Sequence, residues 1–215
     1  MSDADRSAEP PYYCRRCPRL FNFLEDCRDT LPFHFNGPVP SFGDPEAELL
    51  VVGLAPGING ANKTGRPFTG DAAGDLLYPA LARFGFSNGR FDARIDDGLA
   101  LRGAMITNAV RCVPPQNKPV GAEVNTCRDY LTAQIEALPE LRVLLCLGKI
   151  SHDSTVRALG GKVAREKFGH GSEYELGGYT VLSSYHCSRY NTNTGRLTEA
   201  MFDTVFRRAR ALVDG

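Results

Sequence analysis

The chain has 215 residues, long enough to bury one substantial core, and its Lys and Arg together equal its Asp and Glu at 25 each. That balance excludes a global positive field as the means of reaching nucleic acid, so any such binding must rest on local patches. No apolar run approaches the roughly 18 residues needed to cross a bilayer, and Met1-Ser2-Asp3-Ala4-Asp5 lacks the charged and apolar regions of a secretion signal, so a cytoplasmic protein with no membrane partner is expected.

Residues 1–10 read as a polar, disordered tail, and residues 11–215 as a single domain. Cys14-Arg15-Arg16-Cys17 follows, flanked by prolines in a polar segment with little core to join. Then come apolar runs at Leu49–Gly53, Ala104–Asn108, Val143–Leu147 and residues 180–184. The first and third are apolar almost without alternation, as strands covered on both faces are. Helical periodicity fills the gaps at residues 72–83, 123–138 and 150–159, and residues 198–213 place Met201, Val205, Ala209 and Leu212 on one stripe. Alternation of strand and helix predicts an α/β fold, a parallel sheet between helices, with ligands beyond the carboxyl ends of the strands.

The segments after three of those strands are rich in Gly, Pro, Asn, Thr and Arg: residues 54–71, 109–115 and 185–196. A single cleft fed by three loops is the economical expectation. Seven cysteines in a reducing compartment are metal ligands, core residues or catalytic groups rather than disulfides. Cys14, Cys17, Cys112 and Cys127, two close and two remote, can enclose one metal centre, and spacing alone hardly separates an iron-sulfur cluster from zinc. Cys27 and Cys146 fit core positions instead, on a helix and inside a strand.

The ordered motifs Gly53-Leu54-Ala55-Pro56-Gly57, then residues 64–74 (Thr-Gly-Arg-Pro-Phe-Thr-Gly-Asp-Ala-Ala-Gly), then Thr107-Asn108-Ala109-Val110-Arg111-Cys112, then Tyr185-His186 leading to residues 191–198 (Asn-Thr-Asn-Thr-Gly-Arg-Leu-Thr), resemble the family 5 (type b) uracil-DNA glycosylases. The resemblance implies the uracil-DNA glycosylase fold, a four-stranded parallel sheet in three α/β/α layers, with a 4Fe-4S cluster on Cys14, Cys17, Cys112 and Cys127. It also implies a monofunctional glycosylase that initiates base excision repair on DNA containing uracil or other deaminated bases such as hypoxanthine and xanthine. A monomer is expected.

Breaking a glycosidic bond builds positive charge on the sugar and negative charge on the departing base. Asp71 is the candidate for the first charge, although a carboxylate opening a helix is equally a cap. His186 stands where the family's motif histidine donates to the leaving base, and Cys187 follows it where relatives more often have proline. The first motif carries no acidic residue, a family trait that implies a broader range of bases. Phe68 and Asn108 fit stacking and bidentate recognition of a flipped base, the Phe68 ring being expected accessible in its loop, with Gly57 and Gly70 beside them. Arg189, Tyr190, Asn191 and Arg196 lie in a loop without acids and suit contact with DNA, and Arg15, Arg16 and Arg19 could add backbone contacts.

Two other readings compete. A non-catalytic iron-sulfur or zinc protein that binds nucleic acid explains the cysteines but not the loop from Gly65 to Gly74 or His186. A nucleotide-binding hydrolase would need a Gly-Lys-Ser/Thr end to its Gly-rich loop, which is absent.

Overall fold

The computed structural model describes residues 8–215. Its sheet has six strands: β1 (Phe42–Gly43), β2 (Leu49–Gly53), β5 (Ala104–Asn108), β6 (Val143–Leu147), β7 (Glu173–Leu176) and β8 (Tyr179–Ser184), in the spatial order β1-β5-β2-β6-β8-β7. The central four, β5-β2-β6-β8, run parallel. These are the four apolar runs of the sequence, and every residue of β2, β5 and β6 is buried.

Two short antiparallel strands cap the edges and were not anticipated: β1 pairs with β5, and β7 pairs with β8 across the turn Gly177-Gly178. A separate small ladder joins β3 (Ser87–Asn88) to β4 (Ala100–Leu101).

The period of two sorts the strand residues between two cores. Leu49, Val51, Ile106, Val143 and Leu145 face α3 (Gly74–Arg83) and α7 (Glu199–Asp214), whose Leu77, Tyr78, Phe202 and Phe206 pack on them. Leu50, Val52, Met105, Leu144 and Val181 face the other way, against Leu131 and Ile135 of α4 (Gly121–Glu136) and Ala158 of α5 (Lys149–Ala158). Three α/β/α layers result.

Helix boundaries follow their caps. Thr198 accepts the Met201 N–H at 3.2 Å and starts α7, and the Glu123 carboxylate accepts the Val120 N–H at 2.8 Å and starts α4 two residues before the apolar periodicity does. Helix α1 (Pro18–Thr30) stands outside the layers. Its Leu20 and Leu24 make a third, smaller core with Val110, Cys112, Val113, Val124 and Cys127.

Of the tail expected over residues 1–10, the first seven lie outside the described residues. Ala8 and Glu9 meet the buried Arg111 guanidinium, which donates to the Ala8 carbonyl at 3.1 Å and to the Glu9 carboxylate at 3.0 Å. Among the described residues no helix is long and apolar enough to cross a membrane.

Candidate active site

The loops leaving β2, β5 and β8 at their carboxyl ends converge on an open cleft of about 660 Å³. It is lined by Gly57, Asn59 and Gly60 from the first loop, by Gly70 and Asp71 ahead of α3, by Asn117 from the loop after β5, and by His186, Ser188 and Arg189 after β8. At its inner end Phe68, Asn108, Asp71 and His186 share a smaller recess roofed by Ala55, Pro56 and Gly57. The sequence-predicted catalytic and base-binding residues are therefore brought together.

Asp71 uses its two oxygens differently. Oδ1 accepts the N–H groups of Ala73 (3.1 Å) and Gly74 (3.3 Å), so it holds the turn that leads into α3 and does the work of a cap from two residues ahead of the N-cap, Ala73. Oδ2 is turned toward the β2 loop. A Cβ placed on Gly60 would lie 2.5 Å from it, so only glycine there leaves the carboxylate its position. Cap and catalytic group are thus compatible roles, one oxygen each.

Across the recess His186 lies with its ring 6.1 Å from Phe68 and inclined by 27°. Burial pushes its pKa below the ordinary value of 6.5, with the Asp71 charge opposing in part, so the imidazole is neutral and carries one N–H. Neither ring nitrogen has a hydrogen-bond partner among the described residues, and neither does the side-chain amide of the buried Asn108. Polar groups left without protein partners at a cleft are what a ligand-recognising site requires. Cys187, in the position where proline is more common, is wholly buried in the main core and leaves His186 facing the cleft.

The Phe68 ring corrects the expectation of an accessible side chain. Only 6% of the residue is exposed, and it joins the core beneath the cleft, reaching the recess from below. Gly53, the last residue of β2, makes room for it: a Cβ there would stand 2.3 Å from Asn108 Oδ1 and 2.6 Å from Phe68 Cζ. Phe68 also adopts φ 54°, a conformation that bulky residues rarely hold without support. The support comes from residues that sequence reasoning did not single out. Arg66 forms a buried bidentate pair with Asp97 at 2.8 and 2.7 Å and donates to Thr69 Oγ1 at 2.8 Å, while the Tyr78 hydroxyl donates to the Pro67 carbonyl at 2.6 Å.

Residues 40–210, which carry all three strand-end loops, match the model of the uracil DNA glycosylase superfamily. The chain belongs to that superfamily. Among its relatives is a type-5 uracil-DNA glycosylase of Thermus thermophilus, 45% identical over 206 residues that cover 93% of each chain. Another, from Pyrobaculum aerophilum, is 40% identical over 202 residues, covering 92% of this chain and 88% of the relative. A type-4 uracil-DNA glycosylase of the same organism is 35% identical over 154 residues, 70% of this chain and 69% of its own. The similarity to type-5 members spans nearly the whole chain, as it should if the cleft and the amino-terminal cysteines belong to one inherited unit.

In this superfamily member the four predicted cysteines also meet. Cys14 and Cys17 at the head of α1, Cys112 after β5 and Cys127 on α4 line one mostly apolar cavity with Pro10, Leu20, Val110 and Tyr130. The Arg111 N–H points at Cys127 Sγ (3.3 Å) and the Tyr130 hydroxyl lies 3.7 Å from Cys14 Sγ. Among the described residues no three His, Cys, Asp or Glu groups are drawn close enough to hold a single ion. Cys14, Cys17, Cys112 and Cys127, lining one cavity with the Arg111 N–H aimed at Cys127 Sγ, are the residues that could hold a thiolate-bound group. Cys27 and Cys146 are buried core residues, as expected.

The candidate DNA-contacting residues divide. Arg189 lines the cleft, and Tyr190 beside it is 72% exposed. Residues 189–193 form a short helix, α6 (Arg189–Asn193), rather than a plain loop, because Ser188 accepts the Asn191 N–H. Asn191 instead turns its amide inward, donating to the His186 carbonyl at 2.8 Å, and the Arg196 guanidinium lies over the Tyr185 ring at 4.7 Å. Arg16 pairs with Asp129 and Arg19 with Glu123, so their charge is spent on α4. Asn117, missed in the sequence, faces the cleft from the loop after β5 with φ 56°. A non-glycine residue in that conformation is a sign that only coordinates provide.

Proposed function

We propose that this protein is a monofunctional DNA glycosylase that hydrolyses the N-glycosidic bond of uracil in DNA, and of hypoxanthine and xanthine as well, opening base excision repair. The observation that carries this reading is the placement of the Asp71 carboxylate and the neutral His186 ring in one cleft, with Asn108 and Phe68 at its inner end. The names of the type-5 relatives support uracil as the substrate.

The chemistry follows from where charge develops. As the bond from the sugar to the base nitrogen lengthens, the Asp71 carboxylate steadies the cationic sugar and orients a water, whose oxygen joins the sugar carbon and whose proton leaves toward the carboxylate. The His186 N–H meets the base as it becomes an anion. Being neutral, His186 stabilises that anion by a hydrogen bond and does not need to surrender a proton. Asn108 offers a donor and an acceptor to the edge of the flipped base, and Phe68 presents an apolar ring to it.

Breadth beyond uracil is supported by the first motif: Ala55 and Gly57 line the recess where a larger or acidic side chain would narrow it. Arg189 and Tyr190 are proposed to meet the DNA beside the cleft mouth. Cys14, Cys17, Cys112 and Cys127 would hold a 4Fe-4S cluster, whose contribution when bound is to tie α1 to α4 and to the loop after β5. We further propose a cytoplasmic monomer.

The test is a panel of oligonucleotides bearing one lesion each, incubated with the protein and then cleaved by alkali. Scission at uracil, hypoxanthine and xanthine, dependent on the alkali step, is the expected result. An intact uracil strand after prolonged incubation would overturn the reading, and scission confined to uracil would remove its broader part.

A further inference from the structure

The Tyr185-His186 dipeptide is gripped at both ends by side chains that touch no part of the cleft. On its carbonyl side Asn191 donates to the His186 carbonyl at 2.8 Å. On its amide side the Tyr185 N–H donates to Nδ1 of His170, at 3.2 Å, and the two rings stack with centroids 5.1 Å apart. Nδ1 of His170 also lies 3.4 Å from the Ser184 hydroxyl, and because Nδ1 accepts the Tyr185 N–H the proton of the neutral ring sits on the other nitrogen. Nothing in the local sequence around His170, a loop ahead of β7, marks it as more than a surface histidine.

We infer that His170 is a positioning residue for the leaving-base donor, holding the backbone ahead of His186 so that the imidazole stays aimed into the recess. The ring of His186 has no hydrogen-bond partner of its own among the described residues, so its aim depends on its backbone and on packing. The hydrogen bond and stacked ring that tie the loop ahead of β7 to the start of this loop supply that constraint, and misplacement of a catalytic group by a fraction of an ångström is costly to rate but not to binding. The inference rests on the reading of His186 as the donor to the departing base.

The experiment is single-turnover excision from a duplex carrying one uracil, with the dissociation constant for the same duplex measured alongside. His170→Phe keeps the stacked ring and removes the acceptor. His170→Asn keeps an acceptor near the Nδ1 position, and His170→Gln removes the ring and carries its amide oxygen one methylene beyond that position.

The Phe variant should lose roughly tenfold in rate with its dissociation constant within about twofold of wild type, and the Asn variant should recover most of the loss. In a His186→Ala background the Phe substitution should cost nothing further, because its effect passes through the histidine already removed. Equal losses in both backgrounds, an unimpaired Phe variant, or an Asn variant as poor as the Phe variant would overturn the inference. If the Phe variant does not fold, His170→Gln runs through the same cycle with the same expectations. A wild-type protein inactive on the uracil duplex would instead defeat the functional reading itself.

Discussion

Strand β5 feeds both chemical centres of this molecule, and they treat polar groups in opposite ways. Its last residue, Asn108, faces the recess, and four residues later Cys112 enters the thiol cavity. In the cleft, the His186 ring, the Asn108 amide and one oxygen of Asp71 are spaced out around a volume open to a transient ligand. In the cavity, four thiols line one mostly apolar space. Burial is the main reason that Cys127 is pushed up to about 11, and Cys112 is raised further by burial and by the neighbouring thiols. Raised pKa values of this kind keep Cys112 and Cys127 as thiols until a cation draws off their protons, whereas the cleft presents groups that need no such partner.

The largest expected effect lies on the cavity side of that comparison. Cys127→Ser should abolish the broad visible absorbance of purified protein and its bound iron outright; a colourless wild-type preparation containing zinc would break the assignment. On the cleft side, Asp71→Asn retains an acceptor for the Ala73 and Gly74 amides and removes the charge, so it separates the two roles of this residue. Single-turnover excision should fall by about two orders of magnitude or more while DNA affinity survives. Near wild-type turnover would leave Asp71 a cap and nothing else. His186→Ala should cost roughly a hundredfold, the scale of one removed anion donor, and an unchanged rate would show that backbone groups alone hold the departing base.

The two centres were also unequally legible in the sequence. The four cysteines that line one cavity stood out because two of them sit in a polar segment with little core to join, and β2 and β6 were open because residues buried on both faces show it in unbroken apolar runs, less plainly so in β5 and β8, which carry Thr, Asn and Ser. The side chains of the cleft could be named by type and by family resemblance. What stayed hidden depends on partners far along the chain. Asp97 is an ordinary loop acid until it meets Arg66, and Arg16, Arg19 and Asn191 look free until Asp129, Glu123 and the His186 carbonyl are placed beside them. Phe68 sits in a loop by sequence and in the core by coordinates, because Gly53 opens the space under it. Strand β7 did leave a trace, a short alternating run before Gly177-Gly178, the pattern of a tight hairpin.

A smaller effect sharpens the contrast between a site spaced for ligand and one lined by thiols. In Gly60→Ala the added methyl would lie 2.5 Å from Asp71 Oδ2 and must displace it. Excision should slow by roughly tenfold, on the scale that misaimed catalytic groups cost, with the colour of the cavity unchanged. An unaffected rate would mean that Asp71 works from more than one position.

The smallest expected effect is thermodynamic. Burial lowers the pKa of both His186 and His170 from the ordinary 6.5, so in acid the unfolded chain takes up protons that the native protein refuses. Stability linked to these histidines is therefore fully present above about pH 6.5 and declines as pH falls toward their native values, at a slope of up to about 1.4 kcal/mol per pH unit for each whole proton. The melting temperature should drop by a few degrees between pH 7 and pH 5.5, a window above the titration of ordinary carboxylates. His186→Gln should flatten part of that decline, because the group that resists the proton is gone. A melting temperature that stays level across the window would mean that burial does not hold either ring neutral, and the neutral His186 on which the anion-donor role rests would have to be given up.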